Sequence, residues 1–194
     1  MHEVNTVSAL AELLHCQFPA SLTGTIAMDG NDGVGKTTLA NALRRLIGGT
    51  VISVDDYVAE NQGAYVPSLR ALELRAALER ACAPRIVEGV CLVNVLEKAG
   101  HDPDILIYIR QVTTDGFWHD QDTCDPDELV DELIARLSAR MAAFARLDAE
   151  RSGRPLPNPG TAALTPLREE IIRYHADVRP SRRAHILISI TEGH

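Results

Sequence analysis

Gly30-Asn31-Asp32-Gly33-Val34-Gly35-Lys36-Thr37-Thr38 is the stretch on which the reading of this chain turns. It fits G-x-x-x-x-G-K-[ST], the pattern of a loop that wraps a phosphate chain. The flanks agree with it. Thr25-Ile26-Ala27-Met28 is a short, mostly apolar run that reads as a buried strand. From Thr38 to Ile47, positions 39, 42, 43, 46 and 47 put apolar side chains on one face of a helix. Gly30, Gly33 and Gly35 leave room for the backbone to curl and aim its N–H groups inward. The helix adds its unpaired N-terminal N–H groups and its dipole. Lys36 is placed to reach the β- and γ-phosphates, and the Thr37 hydroxyl to meet Mg²⁺. All nine residues, Asn31, Asp32, Val34 and Thr38 included, are candidate nucleotide ligands.

The composition sets limits. With 194 residues and 45% hydrophobic content, the chain is expected to form one domain over 1–194 with a full core. A formal charge of -8, from 19 basic and 27 acidic residues, offers no basic stripe for nucleic acid. It also argues against a large polyanion as second substrate. Cys16, Cys82, Cys91 and Cys124 form no C-x-x-C pair and match no zinc spacing. A reducing, cytoplasmic setting is the expectation. The N-terminus shows neither a signal peptide nor a membrane span.

Around the loop, strands are expected at 50–54, 85–87, 104–110 and 184–190, making five with residues 25–28. Helices are expected at 5–16, within an N-terminal helical extension over 1–20, and then from Pro67 to 81, at 90–99, 127–151 and 165–178. Thr165 caps the last of these, with Pro166 as its first residue. Alternating strands and helices argue an α/β fold: a five-stranded parallel sheet with helices on both faces and a helical lid. The lid and insertion would occupy roughly 111–160.

Two carboxylate positions stand out. Asp55-Asp56-Tyr57 ends the second strand and Glu88-Gly89 ends the third, at the strand edge where α/β ligands bind. A carboxylate there can accept a hydroxyl proton or hold the metal, so Thr37, Asp55 and Glu88 are the metal candidates. The loop 58–68 offers Tyr65 and Asn61 as acceptor contacts, beside Tyr57. The segment 111–126 breaks the rhythm and holds the lone tryptophan, Trp118, as a substrate contact or a surface for a homodimer. A metal cluster from His119, Asp120 and Asp122 is a lesser alternative. Arginines along 127–154, with Arg140 and Arg154 foremost, are candidates to clamp the transferred phosphate.

In sequence order the chain resembles the uridine kinase and phosphoribulokinase branch of the P-loop kinases. The resemblance rests on Asp29-Gly30 to Thr38, on Val51 to Tyr57, on Arg85 to Val90, and on Tyr174 to Ile188 with its Arg179-Pro180. It implies an ATP- and Mg²⁺-dependent phosphotransferase acting on a hydroxyl of a small molecule such as a nucleoside or sugar. It implies Asp55 as base, Glu88 near metal and acceptor, and lid arginines at the phosphate. The dense Arg-Asp-Arg-Gly lid pattern is missing, and the loop after Tyr57 lacks the usual His-Pro character. A nucleotide-dependent switch acting through a protein partner is the alternative from another class.

Overall fold

Runs of β-branched and aliphatic residues, all but one of them four to eight long, pair side by side and in one direction. The computed structural model describes residues 1–59, 63–153 and 164–191. In chain order the elements are β1 (His2–Val4), α1 (Val7–Gln17), β2 (Thr25–Gly30), α2 (Lys36–Ile47), β3 (Thr50–Ser53), α3 (Ala71–Arg80), β4 (Arg85–Glu88) and α4 (Leu92–Ala99). They continue with β5 (Ile105–Val112), α5 (Gln121–Cys124), α6 (Val130–Ser152), α7 (Pro166–Val178), α8 (Pro180–Arg183) and β6 (Ile186–Thr191). The sheet is parallel throughout, in the order β1-β6-β5-β2-β4-β3.

It has six strands, which corrects the expected five. The extra one is β1, whose residues 2–4 pair with Ile186–Ile188 of β6. A three-residue strand is too short for any period to register, so the sequence places these residues in a helical extension. Glu3 completes the attachment by pairing with Arg110 of β5. Smaller shifts occur at boundaries. The residues Val54–Tyr57 form a 3₁₀ turn rather than the end of a strand, and α3 begins at Ala71, four residues after Pro67.

Alternation along the strands builds a core on each face. Ile26, Met28, Ile86, Ile105, Ile107, Ile109, Ile186 and Ile188 point to one side and meet Leu10 and Leu14 of α1 and Leu39 and Leu43 of α2. Ala27, Val87, Leu106, Tyr108 and Leu187 point to the other and meet α3, α4 and α7 through Leu74, Leu78, Leu96, Ile171 and Tyr174. Each fully buried leucine contributes roughly 1.5–3 kcal/mol. Two caps set helix starts as the residue types require: Thr6 accepts from the Ala9 N–H, and Thr165 from the Arg168 N–H.

The helix α6 is attached differently. It buries Leu133 against Leu164 and Ile172 but leaves Phe144 and Leu147, and Leu129 just before it, more than half exposed. The segment before it is more ordered than its aperiodic sequence suggests. The strand β5 runs on to Val112, a turn closes at Gly116, and Trp118 bridges back to Val112 before α5. No helix among the described residues is long and apolar enough to cross a membrane.

Candidate active site

The phosphate loop joins β2 to α2 across the carboxyl edge of the sheet. Its glycines serve two different needs. A Cβ on Gly30 would lie 2.7 Å from the Ile109 carbonyl oxygen, so the close approach of β5 excludes a side chain there. Gly33 and Gly35 face open space but hold φ of 77° and 84°, where L residues are strained. Lys36 opens the helix, is 8% exposed, and donates from Nζ to the Asn31 carbonyl at 2.6 Å. Burial lowers its pKa, and the charges of Asp29, Glu88, Asp32 and Asp55 oppose that shift. One ammonium thus sits among four carboxylates, a field that a bound polyphosphate would change sharply.

The two strand-end carboxylates converge on this loop. Glu88, 2% exposed, accepts the Thr37 hydroxyl proton at 3.0 Å. Asp55 accepts from the Tyr65 hydroxyl at 2.5 Å through Oδ1. Burial, together with the charge on Asp55, pushes the Tyr65 phenol far above its ordinary range, so it stays a donor. Among the described residues Asp55 Oδ2 has no hydrogen-bond partner. Tyr65 is itself fixed from a distance: its N–H and that of Val66 donate to Glu170 of α7 at 2.5 and 2.8 Å. Lys98 holds the same turn through the carbonyls of Val66 and Pro67.

Asp29 escaped the sequence reading as a site residue. It is wholly buried at the end of β2, and accepts from the Gly30 N–H at 2.8 Å and from the Tyr174 hydroxyl. Burial raises its pKa to about 6, against the pull of those bonds and of Lys36. A charged residue ending an apolar strand was the signal available. Behind it, His175 donates from Nδ1 to the Ile171 carbonyl at 2.8 Å, so its Nε2 accepts from Tyr108 at 2.9 Å. Burial lowers its pKa to about 4, leaving a neutral ring.

Three cavities meet at the loop. The first, about 340 Å³, places Asp55 and Tyr65 with Asp32 and Lys36 and is walled by Val58, Val90 and Leu167. The second, about 580 Å³, lies behind Gly33, Gly35 and Thr38 and reaches Asn5, Gln111 and Ile190. The third, about 410 Å³, runs from Asn31 and Gly33 to His119, Met141 and Arg168. Asp120 ties that side down by accepting from the Asn31 amide at 2.9 Å.

Other sequence candidates fall elsewhere. Tyr57 packs against the core and does not line the Asp55 cavity. Trp118 stands edge-on to Tyr108 at 5.9 Å, with the Arg110 guanidinium 5.8 Å from its ring. Arg140 is exposed on α6, 5.6 Å over Phe144. Arg154 and Asn61 lie outside the described residues. Among the described residues, the arginine that does line a loop-side cavity is Arg168, which is not one of the sequence candidates. Its place follows from the way α7 is docked, which its local sequence does not show.

The donor set suits Mg²⁺. Thr37 and Glu88 offer adjacent hard oxygens, and Mg²⁺ takes one or two protein oxygens and leaves the remainder to water and phosphate. No group of three or more His, Cys, Asp or Glu among the described residues could hold a metal ion. The His119, Asp120 and Asp122 alternative therefore forms no such cluster.

A phosphate loop after β2, carboxylates ending the strands beside it and an all-parallel sheet give this chain an α/β fold similar to that of P-loop kinases of known structure. A possible uridine kinase from Bacillus stearothermophilus shares 15% identity over 94% of this chain and 96% of its own, with a TM-score of 0.50. A candidate fructose transport system kinase from Silicibacter sp. TM1040 shares 16% identity over 98% of this chain and 100% of its own, with a TM-score of 0.44. At these identities the likeness is one of fold. No protein-family model and no curated protein matches the chain.

Proposed function

We propose that the protein is an ATP-dependent small-molecule kinase, transferring the γ-phosphoryl group to an acceptor hydroxyl. One observation carries this reading: Asp55, Asp32 and Lys36 line the same cavity. A carboxylate able to take a proton and the lysine of a phosphate loop thus share one small space beside the loop.

The residues divide the work. The amides of residues 33–38 and Lys36 hold the β- and γ-phosphates. Thr37 and Glu88 would hold Mg²⁺, which offsets phosphate charge when bound. Asp55, oriented by Tyr65, draws the acceptor hydroxyl into line. The acceptor oxygen bonds to the γ-phosphorus as the bond to the β–γ bridging oxygen breaks. ADP leaves with that oxygen, and the hydroxyl proton passes to Asp55. Arg168 is placed on the third cavity to meet the transferred phosphoryl, with Arg140 and Arg154 as further candidates from the lid side.

The test is ADP release with MgATP against a panel of hydroxylated acceptors, with products weighed for one added phosphoryl group. Asp55→Asn should lower kcat by about 10²-fold or more, as loss of a general base does, while MgATP still binds. Unchanged turnover in Asp55→Asn would remove it from that role. Release that no acceptor stimulates, but a protein partner does, would favour the switch.

A further inference from the structure

The cavity beside Asp55 restricts the charge of the acceptor, an inference that rests on the phosphotransfer reading above. Its described apolar walls are Val58, Ala59, Ala64, Val90 and Leu167, its carboxylates are Asp32 and Asp55, and Gly63 and Tyr65, whose hydroxyl donates to Asp55, complete the described lining. The lone cation among the described lining residues is Lys36. That lysine is needed by the nucleotide phosphates, and Glu88 adds a further negative charge beside Thr37.

Among the described residues, the nearby cations are paired with other groups or line another cavity. Residues 50–69, which run from β3 through the cavity wall, contain no lysine or arginine. Arg70 donates to the Asp56 carbonyl at 2.5 Å and to Glu73 at 3.0 Å. Lys98 donates to the carbonyls of Val66 and Pro67. Arg173 is paired with Asp131 and Glu169. Arg168 lines the neighbouring cavity, beside Asn31 and Gly33.

An acceptor carrying a carboxylate or phosphate would lose its hydration against valine and leucine, and would face two carboxylates with no ammonium to spare. A polyol fares poorly for another reason. Most of its hydroxyls would be desolvated against the side chains of Val58, Ala59, Ala64, Val90 and Leu167, which offer no donor or acceptor. We propose that the acceptor is an uncharged alcohol with a largely apolar body, and that anionic hydroxy acids and phosphorylated sugars are excluded.

The experiment is a ligand-observed NMR screen of small alcohols on the full chain loaded with Mg²⁺ and a non-hydrolysable ATP analogue. The library holds neutral alcohols, polyols, hydroxy acids and sugar phosphates in equal numbers, and every hit is then offered with MgATP. Neutral, mainly apolar alcohols should supply at least tenfold more hits than the anions. Leu167→Arg, a change at the cavity wall, should reverse that preference. Anionic hits in equal or greater number, no hits at all, or an anionic acceptor that is phosphorylated would overturn the proposal. Failure of the kinase reading looks different: neutral alcohols would bind beside the nucleotide and Leu167→Arg would redirect them, yet none would gain a phosphoryl group.

Discussion

Asp29 keeps a carboxylate where no water reaches it, and its neighbours show the cost. Its pKa is raised to about 6 from 3.8, so the folded chain holds this proton more tightly than the unfolded one. The sign follows: where the native state binds more protons, stability falls as pH rises. The penalty is absent below about pH 4, grows up to pH 6 and is complete above it. Asp29→Asn keeps an oxygen to accept the Gly30 N–H, puts an NH2 that can donate to the Tyr174 hydroxyl oxygen in place of the second oxygen, and removes the charge. Its melting temperature should match the wild type near pH 4 and exceed it by several degrees above pH 6.5, where thermal unfolding in both buffers reads the difference. A constant offset across pH would show that Asp29 titrates normally. Lys36, a few residues on, is the companion test. Lys36→Ala should abolish turnover, because no other cation among the described residues shares the cavity with Asp55 and Asp32.

At the scale of elements, α7 positions both sides of the site. Tyr174 bonds Asp29 under the phosphate loop, and Glu170, one turn earlier, receives the N–H groups of Tyr65 and Val66. The i, i+4 spacing puts both on one face of the helix. Glu170→Ala would leave two N–H groups without their acceptor, at about 1–3 kcal/mol for any that stay buried. The turn that carries Tyr65 would loosen. Steady-state kinetics should then show a KM for the acceptor raised about tenfold, as a misplaced positioning contact does, with the KM for ATP within about twofold. An equal rise in both would place Glu170 in general stability instead. Much of the element pattern was legible beforehand. The strand runs, the amphipathic helices and the Thr165-Pro166 helix start lie in local sequence. The strand β1 did not, because three residues carry no period and its partner, β6, is over 180 residues away.

At the scale of the whole molecule, the nucleotide should act as a ligand of the folded state alone. At a concentration of about 100 times its Kd, MgATP should add about 2.7 kcal/mol. For a chain of this size that is a rise of roughly 5–10 °C in melting temperature. Differential scanning fluorimetry should show the rise in the wild type and its loss in Lys36→Ala. A wild type that does not shift would remove ATP from the reading.

Local pattern determined the phosphate loop, five of the six strands and the strand-end carboxylates Asp55 and Glu88. Those features depend on backbone conformation and side-chain period within a few residues, which neighbours in sequence impose. Tertiary structure alone decided which groups surround them: Tyr65 and not Tyr57 on Asp55, Asp120 on Asn31, Glu170 under Tyr65, Arg168 beside the loop. The partners of Asn31 and Tyr65 lie 89 and 105 residues away. They meet because strand order and helix docking bring distant segments to one edge of the sheet. No local period encodes that order; it is set by which faces the whole chain can bury together.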